Sequence, residues 1–108
     1  MSLKKLFGKK LKQLRVESGL TQEKLAELLD LETGTVCMIE LGRRGTSFDN
    51  LEKIIDVFNI SYIELFDFEE IEAKNNTVKS ITKELNELDD KELRFILKYI
   101  KDFKKFIK

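Results

Sequence analysis

Proline and histidine are absent from this chain, cysteine occurs once and glycine five times in 108 residues. Without proline, nothing in the sequence forbids a helix interior, and scarce glycine removes the other common helix breaker. An all-α chain is expected. Cys37 has no intramolecular partner, so no disulfide forms, and without histidine there is no Cys/His set for a zinc site. A reducing, cytoplasmic setting fits. No apolar run approaches a membrane span, and the N-terminus lacks the continuous apolar core of a signal peptide. A Gly-rich phosphate loop is missing too, as is any carboxylate pair whose spacing sets it apart from surface charge, so neither an enzyme nor a cofactor is expected.

What is present is a balance of 42% apolar and 37% charged residues, the composition of an ordered domain, with 20 basic and 20 acidic side chains. The zero net charge hides an uneven layout. Residues 1–17 hold six basic residues and one acidic, whereas residues 19–66 hold four basic and nine acidic. Any electrostatic binding surface must therefore be local.

Helical periodicity organises the chain. Leu3, Phe7, Leu11 and Leu14 predict a first amphipathic helix that closes near Gly19. Thr21 caps a second, with Glu23 in its first turn and Leu25, Ala26, Leu28 and Leu29 on its buried side. Asp30 and Leu31 make a turn, and Val36 and Ile39 mark the inner side of a third helix that ends at Gly42. The loop from Gly42 leads to Ser47, the cap of a fourth helix with core residues Leu51, Ile54, Ile55 and Phe58. Ser61 and Glu64 spell a capping box for a short fifth helix carrying Leu65 and Phe66.

The acidic, polar stretch 68–76 reads as a linker. Beyond it, Val78, Ile81, Leu85 and Leu88 predict another helix, and Asp89 with Glu92 a second capping box. The last helix carries Leu93, Ile96, Ile100, Phe103 and Ile107 at alternating steps of three and four, widened by Phe95, Leu97, Tyr99 and Phe106. A lone helix does not keep that much apolar surface in water. The stripe must meet the preceding helix, the N-terminal domain or a second chain.

Leu14, Arg15, Gly19, Leu20, Thr21, Gln22, Leu25, Ala26, Val36, Ile39, Glu40, Gly42, Arg43, Arg44, Ser47, Leu51, Leu65 and Phe66 together resemble the phage-repressor type of helix-turn-helix, the family of lambda repressor and Cro. The resemblance implies a five-helix DNA-binding domain over residues 1–67 that acts as a dimer, while the residues themselves give the linker 68–76 and a C-terminal helical hairpin over 77–108, which the family's dimeric habit marks as the dimerising region. Asp30 stands where the family usually has glycine, and aspartate enters the left-handed region readily enough for the turn to survive. By the same resemblance Glu32, Thr33, Gly34, Thr35, Cys37 and Met38 face the major groove, and Thr21, Gln22, Arg43 and Arg44 meet phosphates. Arg15 and Glu40 occupy the positions of an ion pair between the first and third helices.

The third helix is an unusual reader of DNA. It offers no Arg, Lys, Asn or Gln for bidentate pairing with base edges, so Thr33, Thr35 and Met38 are left to touch thymine methyls and Glu32 to accept from a cytosine amino group. Glu32 has a second reading, as a carboxylate that complements the helix dipole. Gly34 contributes no side chain and allows close backbone approach. Cys37 reads as a small groove-facing or half-buried side chain. The sequence therefore predicts a transcriptional regulator of repressor type, a homodimer through Leu93, Ile96, Ile100, Phe103 and Ile107, bound to double-stranded DNA at a palindromic operator. A protein-interaction adaptor or antitoxin that keeps the fold with weak DNA binding is the other reading.

Overall fold

The computed structural model describes residues 2–107, and these contain helices joined by turns and loops, with no strand among them. Seven helices follow in order: α1 (Leu3–Glu17), α2 (Gln22–Leu29), α3 (Thr33–Glu40), α4 (Phe48–Phe58), α5 (Tyr62–Leu65), α6 (Glu69–Leu85) and α7 (Asp90–Phe106). Their starts are set by side-chain oxygens that accept the N–H three residues on: Ser2 for α1, Thr21 for α2, Ser47 for α4, Ser61 for α5 and Asp89 for α7. At Asp89 the box is reciprocal, because Glu92 accepts from the Asp89 N–H. At Ser61 only the forward bond forms. Left-handed residues close four of the helices: Gly19 at φ 71° follows α1, Asp30 at φ 55° ends α2, Gly42 at φ 73° follows α3 and Asn59 at φ 51° ends α4.

The chain divides into two compact units, one up to Ala73 and one from Lys74. In the first, α1 packs on α3 and α5, while α2 packs on α3 and α4. Phe7, Leu11, Leu25, Ala26, Leu29, Val36, Ile39, Ile54 and Leu65 form its core. Burying each large member stabilises the fold by about 1.5–3 kcal/mol before ordering entropy is subtracted. Two expected core residues lie outside: Leu3 is 63% exposed and Leu28 is also exposed. Leu6 is buried instead, because the inner stripe of α1 runs through Leu6, Phe7, Gly8 and Leu11.

Of the stretch expected as a linker, residues 69–76 are helical, the start of α6. Asp67 Oδ1 accepts from the Glu69 N–H, and Glu69, Glu70 and Glu72 place negative charge on the free N–H groups of the first turn of α6. Phe68 packs edge-on against Phe66, which in turn stacks near Phe7, and Gln13 donates to Glu70. These contacts attach residues 67–73 to the first unit. In the second unit, the turn 86–89 leads into α7, and neither α6 nor α7 has a buried residue.

Candidate nucleic-acid interface

The two helices of the motif cross closely because small residues stand at the contacts. Ala26 on α2 is 2% exposed, and Val36 and Ile39 lie under α3. Gly8 on α1 supplies a second close approach that the sequence reading did not single out. A Cβ there would collide with the Ile39 carbonyl oxygen and fall 2.7 Å from that of Glu40. Its signal was a glycine inside an otherwise regular amphipathic helix, where it costs about 1 kcal/mol against alanine. Gly42, at φ 73°, ends the motif with Lys5 packed where a Cβ would go.

A buried polar network fixes the far end of α3. Arg15 Nε donates to Glu40 Oε2 at 2.7 Å, Nη2 to Glu40 Oε1 at 3.0 Å, and Nη1 to the Leu20 carbonyl at 2.9 Å. Gln22 Nε2 donates to Glu40 Oε1 at 3.0 Å. The side chains of Arg15 and Glu40 are 12% and 3% exposed. The hydrogen bond to Glu40 raises the Arg15 pKa above its already high ordinary value, outweighing the opposing cost of burial, so the guanidinium stays charged. Both residues are thereby committed to holding α1, the α1–α2 turn and α3 together, as the ion-pair expectation required.

The opposite face of α3 looks outward. Glu32, Thr33, Gly34 and Met38 are exposed, and Thr35 and Cys37 are half-buried. Glu32 is the residue that precedes the helix, and its side chain makes no capping bond. A Cβ built on Gly34 would meet nothing within 4 Å, so neither packing nor backbone conformation within this chain asks for glycine there. Beside α3, Arg43 and Arg44 are exposed in the loop that follows Gly42 and form no ion pair among the described residues. At the start of α2, Thr21 Oγ1 accepts from the Lys24 N–H, which leaves the hydroxyl proton available to donate. The first N–H groups of that helix and the two arginines are the local positive features near a helix that is itself acidic at both ends.

An open cleft of about 530 Å³ lies away from this face, among α1, α5 and the first turn of α6, with Glu17, Glu64, Asp67, Glu69 and Glu70 in its lining. No residue of α2 or α3 lines it. Along α7 and its C-cap, Phe103 and Ile107 are well exposed, Leu93 and Ile100 are 36% and 40% exposed, and Ile96 is half-buried, so the stripe predicted for dimerisation is open towards its C-terminal end and partly covered towards its start. No helix among the described residues is long and apolar enough to cross a membrane.

Comparison with known proteins bears on this arrangement. Residues 11–65 match the family described as Helix-turn-helix. Control protein C.BamHI of Bacillus amyloliquefaciens is 40% identical over 68 residues, covering 62% of this chain and 84% of that protein. The HTH-type transcriptional regulator ImmR of Bacillus subtilis (strain 168) is 32% identical over 89 residues, which is 80% of this chain and 70% of ImmR. Among solved structures, a chain of the SinR protein/SinI protein complex superposes with a TM-score of 0.55 at 26% identity, over 92% of this chain and 98% of that one.

Proposed function

This chain belongs to the helix-turn-helix family of transcriptional regulators, and we propose that it acts as a dimeric repressor that reads a palindromic operator in double-stranded DNA with α3. The observation that carries this is the open outer face of α3, with a part-buried hydrogen-bonded network behind it and, among the described residues, two arginines without an ion pair beside it. Arg43, Arg44, Thr21 and Gln22 meet phosphates and supply affinity without sequence preference. Glu32, Thr33, Gly34, Thr35, Cys37 and Met38 lie against base edges, where apolar and single hydrogen-bond contacts discriminate by about 1–3 kcal/mol or less per base pair. Specificity is thus spread over several weak contacts. The regulator works in the cytoplasm, and no step in this role requires catalysis or a cofactor.

Dimerisation falls to the second unit. The stripe of Leu93, Ile96, Ile100, Phe103 and Ile107 repeats at the spacing of a heptad seam and is exposed at every member but Ile96, which favours a second copy as its cover. A protein-interaction role is the second reading. The same open stripe favours it, and so does the likeness over 92% of the chain to one member of a complex between two proteins. Selection of bound duplexes from a random pool, at about 0.1 M salt so that phosphate contacts do not swamp base contacts, separates the two. Enrichment of a palindrome is expected. A pool that stays random while residues 74–108 capture a different protein would support the adaptor.

A further inference from the structure

Charge is not spread evenly along α7. Asp89, Asp90 and Glu92 stand at its start with Lys91 as the one basic residue among them, whereas residues 98–107 carry Lys98, Lys101, Lys104 and Lys105 against Asp102 alone. Within the helix this layout suits the dipole, acidic where N–H groups are free and basic where carbonyls are. Across a seam it also gives the helix a direction. A parallel second copy would set the four lysines of one α7 beside the same four of the other, whereas an antiparallel copy sets each basic end against an acidic start. Exposure runs the same way: Leu93 is 36% and Ile100 40% exposed, while Phe103 and Ile107 are 54% and 62% exposed. In the antiparallel arrangement the open end of each copy lies over the partly covered start of the other.

We propose that the stripe takes α7 of a second copy running antiparallel, with Leu93 opposite Phe103 of the second copy, Ile96 opposite its Ile100, and Asp90 beside its Lys104. This rests on the reading of the second unit as the dimerising one. The two seam pairs share one centre, at Lys98, so a single two-fold axis generates both. Moving the centre one step on, to between Ile100 and Phe103, leaves Leu93 and Asp90 beyond the end of the second α7. With 3.6 residues per turn, Asp90, Leu97 and Lys104 fall on one flank of the seam, within about 40° of one another. Like flanks meet in an antiparallel pair, so Asp90 of each copy comes beside Lys104 of the other. Both groups are open to this. The 2.9 Å ion pair of Asp90 with Arg94 lies on the surface, with both side chains nearly four-fifths exposed, and Lys104 is exposed without an ion pair among the described residues. Flanking charges of this kind set the orientation of paired helices, while the apolar seam supplies the attraction.

The test uses full-length chains at about 0.1 M salt, where such pairs are only partly screened. Sedimentation reads the dimer dissociation constant of wild type, of Asp90→Lys, of Lys104→Glu and of an equimolar mixture of the two variants. Either variant alone sets like charges together twice in each dimer, and its constant is expected to rise about tenfold. The mixture restores two pairs of opposite charge, so heterodimers are expected to form with about the wild-type constant. A variant that keeps wild-type strength, or a mixture no tighter than its components, would overturn the antiparallel pairing; the second result would mean that these charges act only on their own helix. A wild-type monomer would remove the dimer reading itself and the proposal with it. A second measurement leaves the charges in place: a spin label on Ile107→Cys, in a chain that also carries Cys37→Ser. Position 107 lies about nine residues from the centre, so antiparallel copies hold the two labels about 27 Å apart along the helix axis. Labels closer than about 15 Å, as two parallel helices packed 8–10 Å apart would place them, would contradict the proposal.

Discussion

At the scale of single residues, the outer face of α3 is informative for what it leaves unfilled. Gly34 stands on the surface with open space where a side chain would go, so nothing in the folded chain explains a glycine there. Gly34→Ala is therefore expected to stabilise the protein by about 0.5–1 kcal/mol while weakening its hold on the selected duplex. A denaturant titration and a binding titration on the same variant check both signs, and unchanged affinity would remove the close-approach role. Arg43→Ala with Arg44→Ala should weaken binding to all sequences alike and flatten its dependence on salt, with each lost phosphate contact lowering the log–log slope by about 0.9. An unchanged slope would mean that these side chains are only solvated loop charges. The placement of both on the surface beside or on α3 was legible in the sequence, because a glycine in a helix and a pair of arginines between glycines are local signals. The Gln22–Glu40 bond was not, since it depends on how α2 and α3 cross.

Among the elements, the motif holds its geometry through contacts that only short side chains permit. Ala26 was readable as a crossing residue from the motif it sits in, whereas Gly8 lay outside the motif and its partner is backbone on α3. Gly8→Ala should cost about 1–3 kcal/mol, because its Cβ meets carbonyl oxygens that cannot turn aside. The same change should displace α3 and lower duplex affinity at temperatures where the protein remains folded. Calorimetric melting alongside a binding titration checks this, and a neutral result in both would mean that α1 retreats from α3 without consequence. Helix starts were legible because Thr21, Ser47 and Asp89 act through the N–H three residues on, a local rule. The start of α6 was missed for a related reason. Its polarity resembled a loop, yet three glutamates in a first turn suit a helix dipole, and Ala73 and Lys74 continue it without a glycine or proline to interrupt.

On the scale of the whole molecule, the proposed function assigns DNA reading to the first compact unit and assembly to the second. In that proposal association is driven by the remaining exposed area of the five apolar side chains from Leu93 to Ile107, each worth at most about 1.5–3 kcal/mol on full burial before ordering costs are subtracted. Full-length protein is expected to sediment as a dimer, and Ile100→Glu to separate it, with a far larger loss of affinity for a duplex with two half-sites than for one half-site. The difference reflects the effective concentration of the second reading unit once the first is bound. A monomer at tens of micromolar, an ample concentration for such a seam, would contradict the dimer. The claim on which the rest depends is that α3 and its flanks form the DNA-binding surface, and NMR mapping of the full-length chain titrated with the selected duplex tests it most directly. The largest backbone shifts are expected at Thr21, Gln22, residues 32–38, Arg43 and Arg44; shifts confined to residues 74–107, or no shifts at all on saturation, would contradict the account.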